Sequence, residues 1–434
     1  MVNKILGTTG TRILNAVFNL VILVLIGRLI GSEGLGIIGL VLVAITIIQI
    51  FIDLLGGGGL IYFASRLNQT ALLLISYSWI IIVLLLFSLV FLLLANLFLD
   101  FYLTVIPNNL ETTILLLAFL NALMQTHYNL LIGKGKIKQY NIVFTIQISV
   151  LLFAFLYFLY GEGKHEFSSY LNSLMLSYGM GALLSFAVLI RYLRATRIEN
   201  VKGIIRQILE FGFISQLANG FHILNKRLSF YFVSSFSGLS SLGVYNAGIQ
   251  LTEGLRLIGQ SISLVQFSEI ANSNDKDLAV SITIKLMKLS VLLTILGLAV
   301  LLLIPQSIYE MLFTIEFSQL KLIIFALSPG VIALSANTIF SHYFSGLGNP
   351  KVSLWANIVG FVATVVLAII LIPLIGIVGA ALTTSISYTI TVVYQYFIFK
   401  KQTATKFNQW MLTAKDLRDF VKIIKVLTKT KNID

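Results

Sequence analysis

The chain has 434 residues, 58% of them hydrophobic and 11% charged, with a mean hydropathy of +0.96, values that exclude a water-soluble globular protein with an ordinary charged surface. The formal net charge of +13 comes from 30 basic residues, and these lie between apolar runs, which points to a membrane and away from nucleic acid. There is no cysteine, so a disulfide framework, a thiol nucleophile and a thiolate metal site are excluded.

Apolar runs of about 20 residues recur along the chain, each long enough to cross ~30 Å of hydrocarbon as a helix. Nothing shows the short alternating segments of an outer-membrane barrel. The expected fold is an all-α integral membrane protein with spans at 11–31, 35–55, 73–99, 112–132, 139–160, 168–191, 207–236, 239–267, 280–304, 318–345, 352–373 and 376–399. The first run continues into Gly27-Arg28-Leu29-Ile30-Gly31 with no small-residue cleavage site, so a retained helix is expected rather than a signal peptide. A cytoplasmic N-terminus places Lys4, Arg12, Arg66, Lys134, Lys136, Lys138, the basic residues of 191–206, Lys276, Lys351 and nine basic residues from Lys400 onward inside. Asp100, Glu111, Glu162, Glu166, Glu310 and Glu316 then fall outside, with Lys164. The positive-inside rule therefore predicts that both termini are cytoplasmic.

The polar segment 191–206 divides the chain into a six-helix lobe (1–195), a cytoplasmic linker (196–206), a second six-helix lobe (207–399) and a tail (400–434). Internal echoes support the division. Gly34-Leu35-Gly36-Ile37 returns 207 positions later as Ser241-Leu242-Gly243-Val244, and Gly133-Lys134-Gly135 returns 213 positions later as Gly346-Leu347-Gly348. Corresponding spans cross in the same direction, so the repeats are parallel, with an axis along the membrane normal. These Gly-x-Gly pairs, like Gly56-Gly57-Gly58-Gly59, lack the strand-turn-helix setting of a phosphate cradle and read as turns or close helix approaches. In the tail, Leu417, Phe420, Val421, Ile424 and Leu427 form an apolar stripe among lysines and arginines, the pattern of a basic amphipathic helix on an anionic leaflet. The competing reading is a docking segment for a partner enzyme.

The residues that could carry chemistry sit within spans. Span seven passes through Asn219, His222, Asn225, Lys226 and Arg227, and a cation near a helix centre costs about 2.5–3.5 kcal/mol on insertion scales, so it normally faces a protein interior or a wet cavity. At about 100° per residue, Lys226 shares a face with Asn219 and His222 while Arg227 lies on the flank. Span eight aligns Asn246, Gln250, Glu253, Arg256, Gln260 and Ser263 in an arc of about 140°. In the first half, Arg12, Asn15 and Asn19 line one side of span one, and Thr46, Gln49 and Asp53 one side of span two. The expectation is a cationic cavity for an anionic ligand, lined by Lys226, Arg256, Arg227, Asn219, Gln250, Gln260 and Arg12. The rival reading pairs Glu253 with Arg256 or Lys226 and neutralises the charge. Glu253, His222 and Asp53 are candidate ion-coupling groups, and Pro329 with Gly330 a candidate hinge within span ten. No catalytic constellation, metal set, cofactor motif or nucleotide-binding P-loop is recognised.

Several stretches carry a resemblance: Gly27-Arg28-Leu29-Ile30-Gly31 through Leu35-Gly36-Ile37, Asp53-Leu54-Leu55-Gly56 leading to Ala64-Ser65-Arg66, Leu242-Gly243-Val244-Tyr245, Ser328-Pro329-Gly330, and His342 through Lys351. Asn357 and Pro373 followed by Gly376-Ile377-Val378-Gly379-Ala380-Ala381 complete the set. Along nearly its whole length the chain resembles the polysaccharide transporters of the multidrug/oligosaccharidyl-lipid/polysaccharide (MOP) flippase superfamily, and among them the Wzx-type O-antigen flippases. The resemblance implies two six-helix lobes that move an oligosaccharide linked to a polyprenyl carrier of the undecaprenyl pyrophosphate type between leaflets of the bacterial cytoplasmic membrane. Membrane lipids, and a polymerase and glycosyltransferases of the same pathway, are the implied partners. One departure stands out: family members often carry an acidic residue on span seven where this chain has Leu228-Ser229, so that role does not transfer. A multidrug extruder of the same superfamily and a membrane-bound polymerase or transferase remain as alternatives.

Overall fold

The computed structural model describes residues 2–97, 110–193, 201–255, 259–260, 263, 266, 270, 276–405, 407–410 and 413. Hydrocarbon offers the backbone no hydrogen-bond partner, so an apolar run must satisfy its own amides as a helix. Among the described residues there is no strand. The first half contains α1 (Val2–Leu29), α2 (Gly31–Gly56), α3 (Gln69–Leu97), α4 (Glu111–Gly133), α5 (Ile137–Leu156) and α6 (Phe167–Leu189), with a short helix Gly58–Phe63 after α2. The second half contains two continuous helical stretches, Val201–Glu253 and Lys351–Thr403, flanking α9 (Lys276–Leu303) and α10 (Leu320–Gly346).

Those two stretches are 53 residues each, which as a straight rod would measure ~80 Å against ~30 Å of hydrocarbon. Each is two helices. Gly238 (φ 83°, ψ 171°) separates α7 (201–237) from α8 (239–253), and Ile375 with Gly376 (φ 57°) separates α11 (351–374) from α12 (377–403). Eight described segments have the length and hydropathy of a membrane span, one of them holding both α11 and α12. α1, whose apolar part Leu14–Leu29 is shorter, joins them with α7 and α8, and among the described residues the bundle has twelve principal helices in two sets of six. α7 begins at Val201, inside the stretch read as linker, and residues 194–200 and the tail from 414 lie outside the described set.

The internal repeat is written in the backbone. Six described glycines have positive φ, and they fall into three pairs: Gly31 with Gly238, Gly135 with Gly348, and Gly163 with Gly376. After α4, the amides of Lys134, Gly135 and Lys136 donate to the carbonyls of Leu130, Ile132 and Leu131; after α10, those of Leu347, Gly348 and Asn349 donate to Tyr343, Ser345 and Phe344, the same pattern 213 positions on. The halves meet where α2 crosses α8. A Cβ on Gly36 would overlap the Leu239 carbonyl, and one on Gly243 would overlap the Ser32 carbonyl. Ser32 Oγ lies 2.5 Å from Ser240 Oγ, and Asn246 Nδ2 donates to the Leu35 carbonyl at 3.2 Å. Numbering rises together along both helices, so they run parallel, and residues 32 and 36 meet 239 and 243, their own repeat equivalents. That reciprocity is the mark of a two-fold axis along the helices. Leu35, Ile38, Leu242 and Tyr245 join one apolar core shared by both halves.

Successive helices run up and down, which gathers Arg66, Lys134, Lys136, Lys138, Arg191, Lys202, Lys351 and Lys400 at one end of the bundle and Glu111, Glu162, Glu166, Glu310 and Glu316 at the other. At the acidic end the Ser32 amide donates to Glu316 Oε2 at 2.8 Å and Phe313 packs against Gly27, tying the halves a second time. In α10 the ladder is opened beside Pro329: Gly330 N donates to Ser385 Oγ at 3.2 Å, and Ser385 Oγ donates to the Ala326 carbonyl at 2.6 Å. A hydroxyl from α12 thus occupies the place of the backbone bond and staples α10 to α12.

The crossing predicts a stability effect. Gly243→Val forces a side chain into the Ser32 backbone and is expected to cost at least the ~1–3 kcal/mol of core overpacking, while Gly58→Ala, whose Cβ would meet nothing within 4 Å, leaves stability unchanged. Thermal unfolding in detergent measures both; equal midpoints for the two variants contradict the packing.

Candidate functional site

A cavity of about 1030 Å³ lies between the halves, lined from α1, α2, α4, α5 and α6 on one side and α7, α8 and Leu301 of α9 on the other. Among the described residues, the charged ones in its lining are Arg227 and Glu253. Lys226 Nζ lies 3.0 Å from Glu253 Oε1, and Arg227 Nη2 lies 3.2 Å from Glu253 Oε2. Consecutive helical residues diverge by about 100°, so the two cations straddle the carboxylate and take one oxygen each. Lys226 is almost fully enclosed, its side chain 7% exposed, whereas that of Arg227 is 25% exposed and its guanidinium carbon sits 5.4 Å above the Phe230 ring.

The roll of α7 is set by Asn225. Its Oδ1 accepts hydrogen bonds from Thr364 Oγ1 of α11 at 2.5 Å and Ser387 Oγ of α12 at 2.6 Å, and its Nδ2 reaches Thr391 Oγ1 at 3.5 Å. Asn357 Nδ2 adds a bond to the Ala218 carbonyl at 3.0 Å. With Asn225 held toward α11 and α12, Arg227, about 200° further round, is directed to the opposite side. That reverses the expected facing: Arg227, rather than Lys226, reaches the cavity.

The other expected residues are distributed more widely. Gln250 lines the cavity and donates from Nε2 to Asn246 Oδ1 at 3.1 Å. Asn219, His222 and Gln260 are not among the lining residues; the Gln260 carbonyl accepts from the buried Ser263 hydroxyl, and Gly259 beside it lies against Ser290 of α9 and Ser335 of α10. Regular α8 ends at Glu253, followed by a turn at Gly254-Leu255, and Arg256 lies outside the described residues. The side chain of Arg12 likewise lies outside the described set. Asp53 is set back from the cavity. It accepts from Gln49 Nε2 at 2.7 Å, and Gln49 Oε1 accepts from Asn121 Nδ2 at 3.1 Å, so Asn121, a lining residue, links it to the cavity wall. Asn19 and Thr46 line the cavity, and Asn15 is buried nearby with neither amide atom partnered among the described residues.

Sequence reasoning missed the whole wall built by α4, α5 and α6: Asn121, Gln125, Gln147, Phe144, Tyr170 and Tyr178. The signal was the i, i+4 amides Asn121 and Gln125 in an otherwise apolar span. It also passed over Lys285 and Lys288, two cations inside α9. Lys288 lines a second, apolar cavity of about 320 Å³ with Phe340, Tyr396 and Trp410.

Glu253→Gln removes the carboxylate that the enclosed Lys226 and Arg227 share and is expected to destabilise the protein by about 3–5 kcal/mol, most of which Lys226→Met in the same chain restores. Thermal unfolding of both variants tests this, and a single variant as stable as the wild type contradicts the charge assignment.

Comparison with known proteins places this architecture. Residues 1–258 match the profile of a family described as polysaccharide biosynthesis protein. An uncharacterized membrane protein of Methanocaldococcus jannaschii is 26% identical over 218 residues, 49% of this chain and 43% of that protein. The probable low-salt glycan biosynthesis flippase Agl15 of Haloferax volcanii is 24% identical over 170 residues, 38% of this chain and 36% of its own length. The matches thus span about two fifths of these relatives. Among solved structures, an inward-facing multidrug resistance MATE family transporter of the MOP superfamily superposes with a TM-score of 0.73 at 16% identity, covering 92% of this chain and 98% of that one. The lipid II flippase MurJ in an inward closed conformation gives 0.71 at 16% identity, covering 100% and 94%. The chain belongs to the polysaccharide biosynthesis protein family and has the fold of the MOP superfamily.

Proposed function

We propose that this protein is a flippase that carries a polyprenyl-pyrophosphate-linked oligosaccharide, an O-antigen or other surface-polysaccharide unit, from the inner to the outer leaflet of the bacterial cytoplasmic membrane, and that it is a transporter rather than an enzyme. Arg227 carries the reading. It is a cation held at the wall of a large cavity inside the bilayer, and a guanidinium offers a pyrophosphate the planar, charge-assisted donors that suit its oxygens. Family membership, the Haloferax relative named as a flippase and the fold shared with the lipid II flippase support the same direction. Among the described residues, two cations face the one carboxylate of Glu253, a positive excess, and a phosphate that approaches Arg227 competes with Glu253 for it. On this chain the carboxylate opposite α7 comes from α8.

The basic end of the bundle faces the cytoplasm, following the positive-inside rule. Alternating access then works about the central axis. The contacts at the acidic end, Ser32 with Ser240, Ser32 with Glu316 and Gly27 with Phe313, hold the cavity shut on the outer side and part when the headgroup is released there. Glu253, His222 and Asp53 are the candidates for coupling to an ion, and the Pro329–Gly330 break, stapled by Ser385, is the candidate hinge. The tail from Lys400, basic and apolar in turn, anchors the second half to the inner leaflet. A second reading, extrusion of cationic compounds, draws on the carboxylate of Glu253 at the cavity wall and on the shared MATE fold.

Translocation of a labelled lipid-linked oligosaccharide in proteoliposomes discriminates. Arg227→Ala is expected to slow it by about tenfold or more, the worth of one charge-assisted contact of ~1.5–3 kcal/mol, with Arg227→Lys intermediate. An unchanged rate in Arg227→Ala contradicts the site, and efflux of a cationic dye by the wild type, with no lipid moved, favours the extruder.

A further inference from the structure

The walls of the cavity differ in kind. The wall contributed by α1, α2, α4, α5 and α6 carries Asn19, Thr46, Asn121, Gln125, Gln147, Tyr170 and Tyr178 and, among the described lining residues, no ionisable carboxylate, ammonium or guanidinium; both charged lining residues belong to α7 and α8. On the uncharged wall the amides are oriented from behind. Asn121 Nδ2 is committed to Gln49 Oε1 at 3.1 Å, and Gln147 Nε2 to Ser177 Oγ at 2.5 Å, which leaves their carbonyl oxygens as acceptors toward the cavity. Gln125 and the Tyr178 hydroxyl make no hydrogen bond among the described residues. The aromatic rings are fixed as well: Phe144 stacks on Tyr140 with centroids 5.8 Å apart and planes 9° apart, and Tyr170 meets Phe155 edge-on at 5.7 Å.

We infer that this first-half wall is a carbohydrate subsite for uncharged sugar rings, with Phe144 and Tyr178 offering apolar faces to the rings and Gln125, Asn121 and Gln147 exchanging hydrogen bonds with hydroxyl and acetamido groups, while the phosphate lies across the cavity at Arg227. This rests on the flippase reading and gives the headgroup a direction within the site: sugar toward the first half, charge toward the second. The chemistry follows from the residue types. An uncharged ring has weakly polar C–H faces that suit an aromatic surface and hydroxyls that both donate and accept, as an amide does. A carboxylate on the ring is a different case, because it loses hydration at a wall that, among the described residues, holds no cation to replace the lost water. The volume of about 1030 Å³ is at the top of the range of small-molecule pockets, about 300–1,000 Å³, and leaves room for more than one ring.

Proteoliposomes with two labelled probes test the subsite: a polyprenyl-pyrophosphate bearing a neutral disaccharide of glucose and N-acetylglucosamine, and the same lipid with glucuronic acid in place of glucose. The wild type is expected to move the neutral probe about tenfold faster. Tyr178→Ala and Gln125→Ala each lower transport of the neutral probe by about fivefold, the scale of one stacking or hydrogen-bond contact, and Tyr178→Phe, which keeps the ring face, restores most of the loss. Arg227→Ala slows both probes alike. Equal wild-type rates for the two probes, with Tyr178→Ala and Gln125→Ala as fast as the wild type, overturn the subsite and leave the flippase reading standing. Failure of the wild type to move either probe overturns both.

Discussion

A side chain on Gly36 or Gly243 would occupy the backbone of the opposite helix, and that exclusion determines where the halves of the molecule meet. Lipid tails are as apolar as leucine, so helices in a bilayer gain little by hiding apolar surface from one another and associate instead through close backbone contact and interhelical hydrogen bonds. The α2–α8 crossing uses both: glycine where the backbones touch, and Ser32, Ser240 and Asn246 bonding beside it. Because each helix presents to the other the equivalent of what it receives, the crossing is also the axis of the repeat. The cavity lies alongside it, with Gly39 of α2 and Asn246 of α8 in its lining.

Within that frame the charge distribution is sparing. Among the described residues, Lys226, Arg227 and Glu253 form the ionic cluster between the halves. Lys226 is enclosed and serves mainly to hold Glu253, which makes it a structural cation with an electrostatic influence on the site rather than a contact in it. Arg227 is the member with a free approach from the cavity side. Such an arrangement keeps the energetic cost of an intramembrane cation low when the site is empty and leaves the positive excess available to a ligand that brings its own negative charge. The α4–α6 wall has no such cost, since amides and tyrosines can be carried in a span without a counter-ion.

Much of the fold was legible in the residues because the bilayer imposes a length: apolar runs of the right span, basic residues between alternate runs, and the Gly-x-Gly echoes all correspond to helices, helix ends and turns of the structure. The breaks at Gly238 and Gly376 were legible for the same reason. The facing of α7 was not. Helical periodicity fixes the angle between Lys226, Arg227 and Asn219 but not the roll of the helix, which depends on Asn225 engaging Thr364 and Ser387, residues more than a hundred positions away. The uncharged wall was faint for a different reason: apart from the i, i+4 amides Asn121 and Gln125, residues such as Gln147 and Tyr178 disturb the hydropathy of a span too little to stand out. Lys285 and Lys288 did carry the intramembrane charge signal and belong to α9, away from the axis of the repeat.

In the proposed cycle the cavity serves each side of the membrane in turn by parting the α2–α8 contact. The chain has no native cysteine, and the hydroxyl oxygens of Ser32 and Ser240 lie 2.5 Å apart, so Ser32→Cys with Ser240→Cys provides a single, reversible bridge across that contact. Lipid-linked oligosaccharide translocation in proteoliposomes is then measured before oxidation, after oxidation and after reduction. The bridge is expected to stop translocation and reduction to restore it; a bridged protein that translocates at the unbridged rate contradicts the parting of α2 from α8.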